Sequence, residues 1–148
     1  MIEGVQVVPL QRYDDERGSV LLMLKETDPH FVRFGEIYFS SVNAGVVKGW
    51  KQHRRMTANY ACVHGRIRVA LHDGRGGSST NGETMELELS PEQYALVVIP
   101  PGVWHGFQGL AEPVSILANC ATEPSDPDEL DRVDPGEGRI PYEWQAPA

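Results

Sequence analysis

Two stretches of the chain carry side chains able to move a proton or hold an anion. The first, Gly45-Val46-Val47-Lys48-Gly49-Trp50-Lys51-Gln52-His53, sets two lysines and a histidine in a strand-like apolar run. The second, Val97-Val98-Ile99-Pro100-Pro101-Gly102-Val103-Trp104-His105-Gly106-Phe107, ends a buried strand in a rigid Pro-Pro-Gly turn that presents a histidine. Histidine titrates close to neutral pH and can take up and return protons. A lysine can do so once burial depresses its pKa, and a charged lysine offers a point charge to phosphate. The two stretches read as halves of one pocket. Strict two-residue alternation puts Lys51 and His53 on one strand face and Lys48 on the other. A bulge at Gly49 brings Lys48 and His53 together; the alternative is an edge strand guarded by its lysines.

The rest of the chain must position those stretches. Residues 5–10 form a short apolar strand, Asp14-Asp15-Glu16-Arg17-Gly18 a turn, and Ser19-Val20-Leu21-Leu22-Met23-Leu24 a strand of buried type. Glu36 to Val42 is rich in aromatic and branched residues and predicts another strand. His64-Gly65 separates strands over Asn59 to Val63 and Arg66 to Leu71, and Asp73 to Gly82 is the most flexible-looking loop. Met85 to Leu89, Tyr94 to Ile99 and Val114 to Cys120 follow, the last as the final core strand. An acidic, proline-rich tail holds a short helix around Asp126 to Val133, and Tyr142 and Trp144 pack back onto the barrel. Short strands between glycine and proline turns, without helical periodicity, predict an all-β sandwich or barrel.

At 148 residues the chain is one domain, 1–148. The net charge of -8 argues against nucleic acid, which needs a basic face. Charge is unevenly spread, however: residues 48–68 hold six basic residues and no carboxylate, while 123–137 hold seven carboxylates and one arginine. A local basic region in an acidic protein suits a small anionic ligand. No membrane span or signal-type start is evident, so a soluble cytoplasmic protein is expected. Cys62 and Cys120 lie in apolar stretches and read as reduced thiols. His53, His64, His72 and His105 raise a competing metal-site reading. Lys51 interrupts the closely spaced histidine pair such a site uses, and no carboxylate follows before Gly65, so no metal is expected.

Gly45-Val46-Val47-Lys48-Gly49-Trp50, then Val63-His64-Gly65, then Ile99-Pro100-Pro101-Gly102-Val103-Trp104-His105-Gly106-Phe107 together resemble the dTDP-4-dehydrorhamnose 3,5-epimerase family of sugar-nucleotide cupins. Asp15-Glu16-Arg17-Gly18 resembles its early acidic-x-Arg-Gly element, and Val133-Asp134-Pro135 with Trp144 resembles its C-terminal end. The resemblance implies a cupin jelly roll (double-stranded β-helix) and a homodimer. It also implies a cofactor-independent epimerase that removes a proton next to the ketone of a nucleotide-diphosphate-linked 4-keto-6-deoxyhexose.

By the same resemblance Arg17, Lys48, Asn59 and His105 bind substrate and Asp134 orients the base. The sequence departs from the pattern twice: Lys51 stands where the family has its catalytic histidine, and the late-strand tyrosine acid falls near Ala118 or Asn119. His53, placed as in the related 3,4-ketoisomerases, is the first candidate base, with Lys51 and Tyr60 as alternatives. Two other functions stay open, a 3,4-ketoisomerase and a catalytically inert sugar-nucleotide-binding subunit.

Overall fold

The computed structural model describes residues 1–145, and its regular structure is almost all strand. One antiparallel sheet contains, in spatial order, β1 (Gln6–Pro9), β9 (Ala95–Ile99), β6 (Ala58–His64), β11 (Val114–Ala121) and β4 (Glu36–Asn43). The other contains β12 (Leu130–Arg132), β5 (Val47–His53), β10 (Val103–Gly109), β7 (Ile67–Asp73) and β8 (Thr84–Leu89). A separate hairpin pairs β2 (Arg12–Asp15) with β3 (Gly18–Leu21). The two facing sheets form the cupin jelly roll.

The alternation of side chains explains which strands lie deepest. Ile67, Val69 and Leu71 of β7 join Tyr60, Cys62, Val97, Ile99, Phe107 and Leu117 in the core between the sheets. On β9 the residues of the other parity, Leu96 and Val98, are buried too, because Val8, Leu10, Leu21, Met23 and Leu24 cover the sheet's outer face. A strand covered on both faces loses its polar alternation and reads as a continuous apolar run. The His64-Gly65 turn carries the chain from one sheet to the other. A Cβ at Gly65, whose φ is +78°, would lie 2.3 Å from Ser115 Oγ, so only glycine fits.

Several expectations needed correction. The segment from Ser19 is no buried strand: β3 pairs only with β2, and Val20 is 57% exposed. The tail forms a single 3₁₀ turn, Pro127–Glu129, in place of a longer helix, with Asp126 accepting from the Asp128 N–H. The chain then extends as the mostly exposed β12, because pairing with the open edge of β5 satisfies backbone groups that a helix would otherwise have to cap; Val114 to Cys120, within β11, stays the last core strand. The loop after β7 is tied rather than loose. Buried Asp73 accepts from Arg75, Ser78 and Thr80, and the Arg75 guanidinium holds its carboxyl far below the usual range. The aromatic tail does pack back: the Trp144 and Tyr142 rings sit 5.3 and 6.0 Å from Trp50, on the outer face of the second sheet. Cys62 and Cys120 are free thiols, and burial pushes the first up to about 11, which leaves it unreactive.

Candidate active site

The register between β5 and β10 contains the expected bulge. Lys51 faces His105 and Lys48 faces Phe107, so three steps on β5 oppose two on β10. The extra residue lies at Gly49-Trp50. It turns Lys48 and Lys51 toward the same side and sends Trp50 outward beneath the tail. Glycine eases the close approach of β5 and β10 here, since a Cβ at Gly49 would stand 3.0 Å from Gly106 Cα.

His53 ends β5 with its side chain inward. Its Nδ1–H donates to Oε1 of Glu129, a residue with 0% exposure at the end of the 3₁₀ turn. The other carboxylate oxygen accepts the N–H groups of Arg55 (2.9 Å) and Met56 (3.3 Å). Burial alone would raise the Glu129 pKa. The Arg55 N–H, the His53 imidazole and the Met56 N–H outweigh burial and hold it below the usual carboxylate value. An ionised carboxylate only accepts, so the hydrogen-bond network assigns the proton of neutral His53 to Nδ1 and leaves the Nε2 lone pair free. Burial lowers the His53 pKa, with help from the charges of Lys51 and Arg132 and against the pull of Glu129. At neutral pH this imidazole is an oriented, unprotonated base.

His105 lies beside it, 2% exposed, its ring stacked 5.7 Å from that of His53. Its Nδ1 is 3.0 Å from the Tyr60 hydroxyl, and its Nε2 is buried without a partner among the described residues. Burial, then the charges of His53 and Lys51, push His105 down to about 3. Tyr60 is itself buried, and desolvation with the nearby Tyr38 raises its pKa well above normal. Its hydroxyl braces His105.

A cavity of about 330 Å³ opens beside this pair, lined by Tyr38, Lys51, His53 and Arg132, with Met56, Leu130 and residues 125–127. That volume is at the low end for ligand sites, so it suits a sugar ring and leaves a nucleotide outside. Burial lowers the Lys51 pKa, reinforced by Arg132 and Lys48. The wall therefore combines a neutral base with cationic groups.

The remaining sequence candidates are scattered. Lys48 Nζ donates to Ser40 Oγ (3.0 Å) and Ser41 O (2.6 Å), bridging β5 to β4 rather than lining the cavity. Asn59 ties β6 to β11: its Nδ2 donates to Cys120 O and its backbone N–H to Asn119 Oδ1, both at 2.9 Å. Arg17 sits at the hairpin tip, 84% exposed and paired with Asp15 at 2.6 Å. Asp134 accepts from the Gly136 N–H at 2.8 Å, within its own turn. The carboxylate contacting His53 is Glu129, which the sequence hides among seven acidic residues until β12 pairing, with Leu130 opposite His53, selects it. Tyr38 and Arg132 were also missed. Alternation along β4 could have revealed Tyr38, because Glu36, Tyr38 and Ser40 share its less exposed face. Of the four histidines weighed as metal ligands, only His53 and His105 meet. His64 is exposed and His72 bonds Thr84 Oγ1 at 2.9 Å.

The model of the family described as dTDP-4-dehydrorhamnose 3,5-epimerase matches residues 1–147. The chain is 32% identical over 144 residues to the probable low-salt glycan biosynthesis epimerase Agl13 of Haloferax volcanii, covering 96% of this chain and 89% of that one. A solved dTDP sugar isomerase from Desulfovibrio desulfuricans superposes with a TM-score of 0.93 at 40% identity, covering 97% and 92% of the two chains. The RmlC epimerase of Legionella pneumophila, solved with dTDP-4-keto-L-rhamnose, shares the fold with a TM-score of 0.84 at 24% identity, over 99% and 81%. The match over the whole length shows that the chain belongs to the dTDP-4-dehydrorhamnose 3,5-epimerase family of sugar-nucleotide epimerases.

Proposed function

We propose that this protein enolises a dTDP-linked 4-keto-6-deoxyhexose, with His53 as the base that removes the proton next to the ketone, and so inverts a ring carbon. The observation that carries this reading is the His53–Glu129 pair: a neutral imidazole, oriented by a buried carboxylate, on the wall of a cavity of sugar size. Abstraction needs positive charge where the enolate oxygen forms, and Lys51 and Arg132 on the same wall supply it. His105, stacked on His53 and outside the cavity lining, backs the base rather than touching the sugar. Lys51 is then a charge stabiliser rather than the base, and Tyr60 a brace rather than an acid. The intact pair favours catalysis over an inert binding subunit.

The same reading places the protein in the cytoplasm as a homodimer. Two features support the dimer: the hairpin exposes Tyr13 and Val20, and the free edge strand β4 exposes Ile37 and Phe39, the latter 65%. Arg17, exposed at the hairpin tip, stays the proposed contact for the diphosphate. Incubation with dTDP-4-keto-6-deoxyglucose in deuterated water tests the reaction. Deuterium is expected at the carbons flanking the ketone, and proton signals of the product separate epimer from 3,4-ketoisomer. No exchange despite demonstrated dTDP-sugar binding overturns the proposal.

A further inference from the structure

We infer that Tyr38 is the acid that returns the proton from the ring face opposite His53. This rests on the enolisation reading above and adds to it the second half of the inversion. A base alone exchanges a proton but restores the original configuration. Inversion needs a donor on the far side of the ring.

The two sheets supply the two sides. His53, Lys51 and Arg132 reach the cavity from β5 and β12 in one sheet, whereas Tyr38 comes from β4, the edge strand of the other. Alternation fixes its direction, since Ile37 and Phe39 on either side are exposed and Tyr38 is half-buried. The phenol oxygen is also held. Asn119, directly across the strand pair, donates its Nδ2–H to Tyr38 Oη at 3.2 Å. That bond keeps the hydroxyl in place and stabilises the phenolate left after proton transfer.

The alternatives are weaker on geometry. Tyr60 is fully buried, spends its hydroxyl on His105 and does not line the cavity. Lys51 is on the same strand and wall as His53. Arg132 reaches the cavity from β12, in the same sheet as His53. The Ser125 hydroxyl donates to Glu36, and an alcohol is a far weaker acid than a phenol.

The step balances without a further reactant. The C–H bond breaks, its proton goes to His53 Nε2, and its electron pair moves to the ketone oxygen as the enolate. The enolate carbon then takes the Tyr38 hydroxyl proton from the other face as the ketone re-forms. Imidazolium and phenolate remain, and one proton passing from the first to the second through solvent restores both.

Tyr38→Phe separates the two halves. In deuterated water with the dTDP-linked 4-keto sugar, the folded variant is expected to keep exchanging the ring proton with retention. Its inversion should fall by about 10²-fold or more, the usual contribution of a positioned acid. The ratio of exchange to inversion, near one or a few in the wild type, then rises by a similar factor. Melting temperature and dTDP binding confirm that the variant is intact. Inversion within about threefold of wild type overturns the assignment, as does loss of exchange together with inversion in a folded, binding-competent variant. Tyr60→Phe giving exchange without inversion while Tyr38→Phe still inverts also overturns it. Failure of the enolisation reading looks different, because the wild type itself then exchanges nothing.

Discussion

Replacing Glu129 by glutamine changes one buried atom and should disable the base without unfolding the protein. The wild-type carboxylate accepts from His53 Nδ1 on one oxygen and from the Arg55 and Met56 N–H groups on the other. The glutamine carbonyl can keep the backbone bonds only if its NH₂ turns to His53. Nδ1 must then accept, which moves the imidazole proton to Nε2 and removes the lone pair facing the substrate. Loss of a hydrogen bond to a charged group costs about 1.5–3 kcal/mol. At about 1.36 kcal/mol per tenfold, kcat should fall by roughly 10- to 10²-fold, with a smaller effect on KM. The pH profile adds a readout that a purely structural role would not move. Glu129 raises the His53 pKa against burial and the charges of Lys51 and Arg132. The active base is the unprotonated form, so activity falls as pH drops through that pKa. Without the carboxylate the pKa falls further, and the acid limb of kcat/KM must shift to lower pH. Steady-state kinetics from pH 4 to 8, with a melting curve, provide the assay. A folded E129Q enzyme within about threefold of wild type, or with an unmoved acid limb, refutes the reasoning.

The Lys51→Met variant should move the same limb the other way: the Lys51 charge depresses the His53 pKa, so its removal carries the limb to higher pH. Its kcat should drop about 10- to 100-fold as charge at the enolate oxygen is lost, read from the same kinetics. Asn59→Ala deletes the bond to Cys120 O and leaves that carbonyl short of a partner inside the sheet. A loss of about 1–2 kcal/mol, or roughly 3–6 °C in melting temperature, is expected with kcat within about twofold; a large rise in KM would return Asn59 to the substrate site.

The architecture was legible because its signals are local. Alternation in β7 and β8, the glycine and proline punctuation and the quoted motifs each report on a few adjacent residues, and the bulge at Gly49 followed from one glycine inside a strand. The β2–β3 hairpin misled because Val20 and Leu21 read as core, although nothing among the described residues covers Val20. The site was only half visible. His53, His105 and Lys51 sit in motifs, but their partners are distant in sequence: Glu129 is 76 residues from His53 and Tyr38 is 81 from Asn119. Choosing Glu129 over Asp134 depends on where β12 ends and which carboxylate is buried beside Arg55 and Met56. Strand pairing decides that, and composition does not report it.

The most direct test of His53 as the base is hydrogen exchange by His53→Ala compared with wild type, in deuterated water with the dTDP-linked 4-keto sugar and with dTDP binding measured alongside. Deuterium should enter next to the ketone with the wild type. With the variant, entry should slow by about 10²–10⁴-fold while binding persists. Exchange at the wild-type rate in a folded His53→Ala protein contradicts the account, because some other group must then be taking the proton.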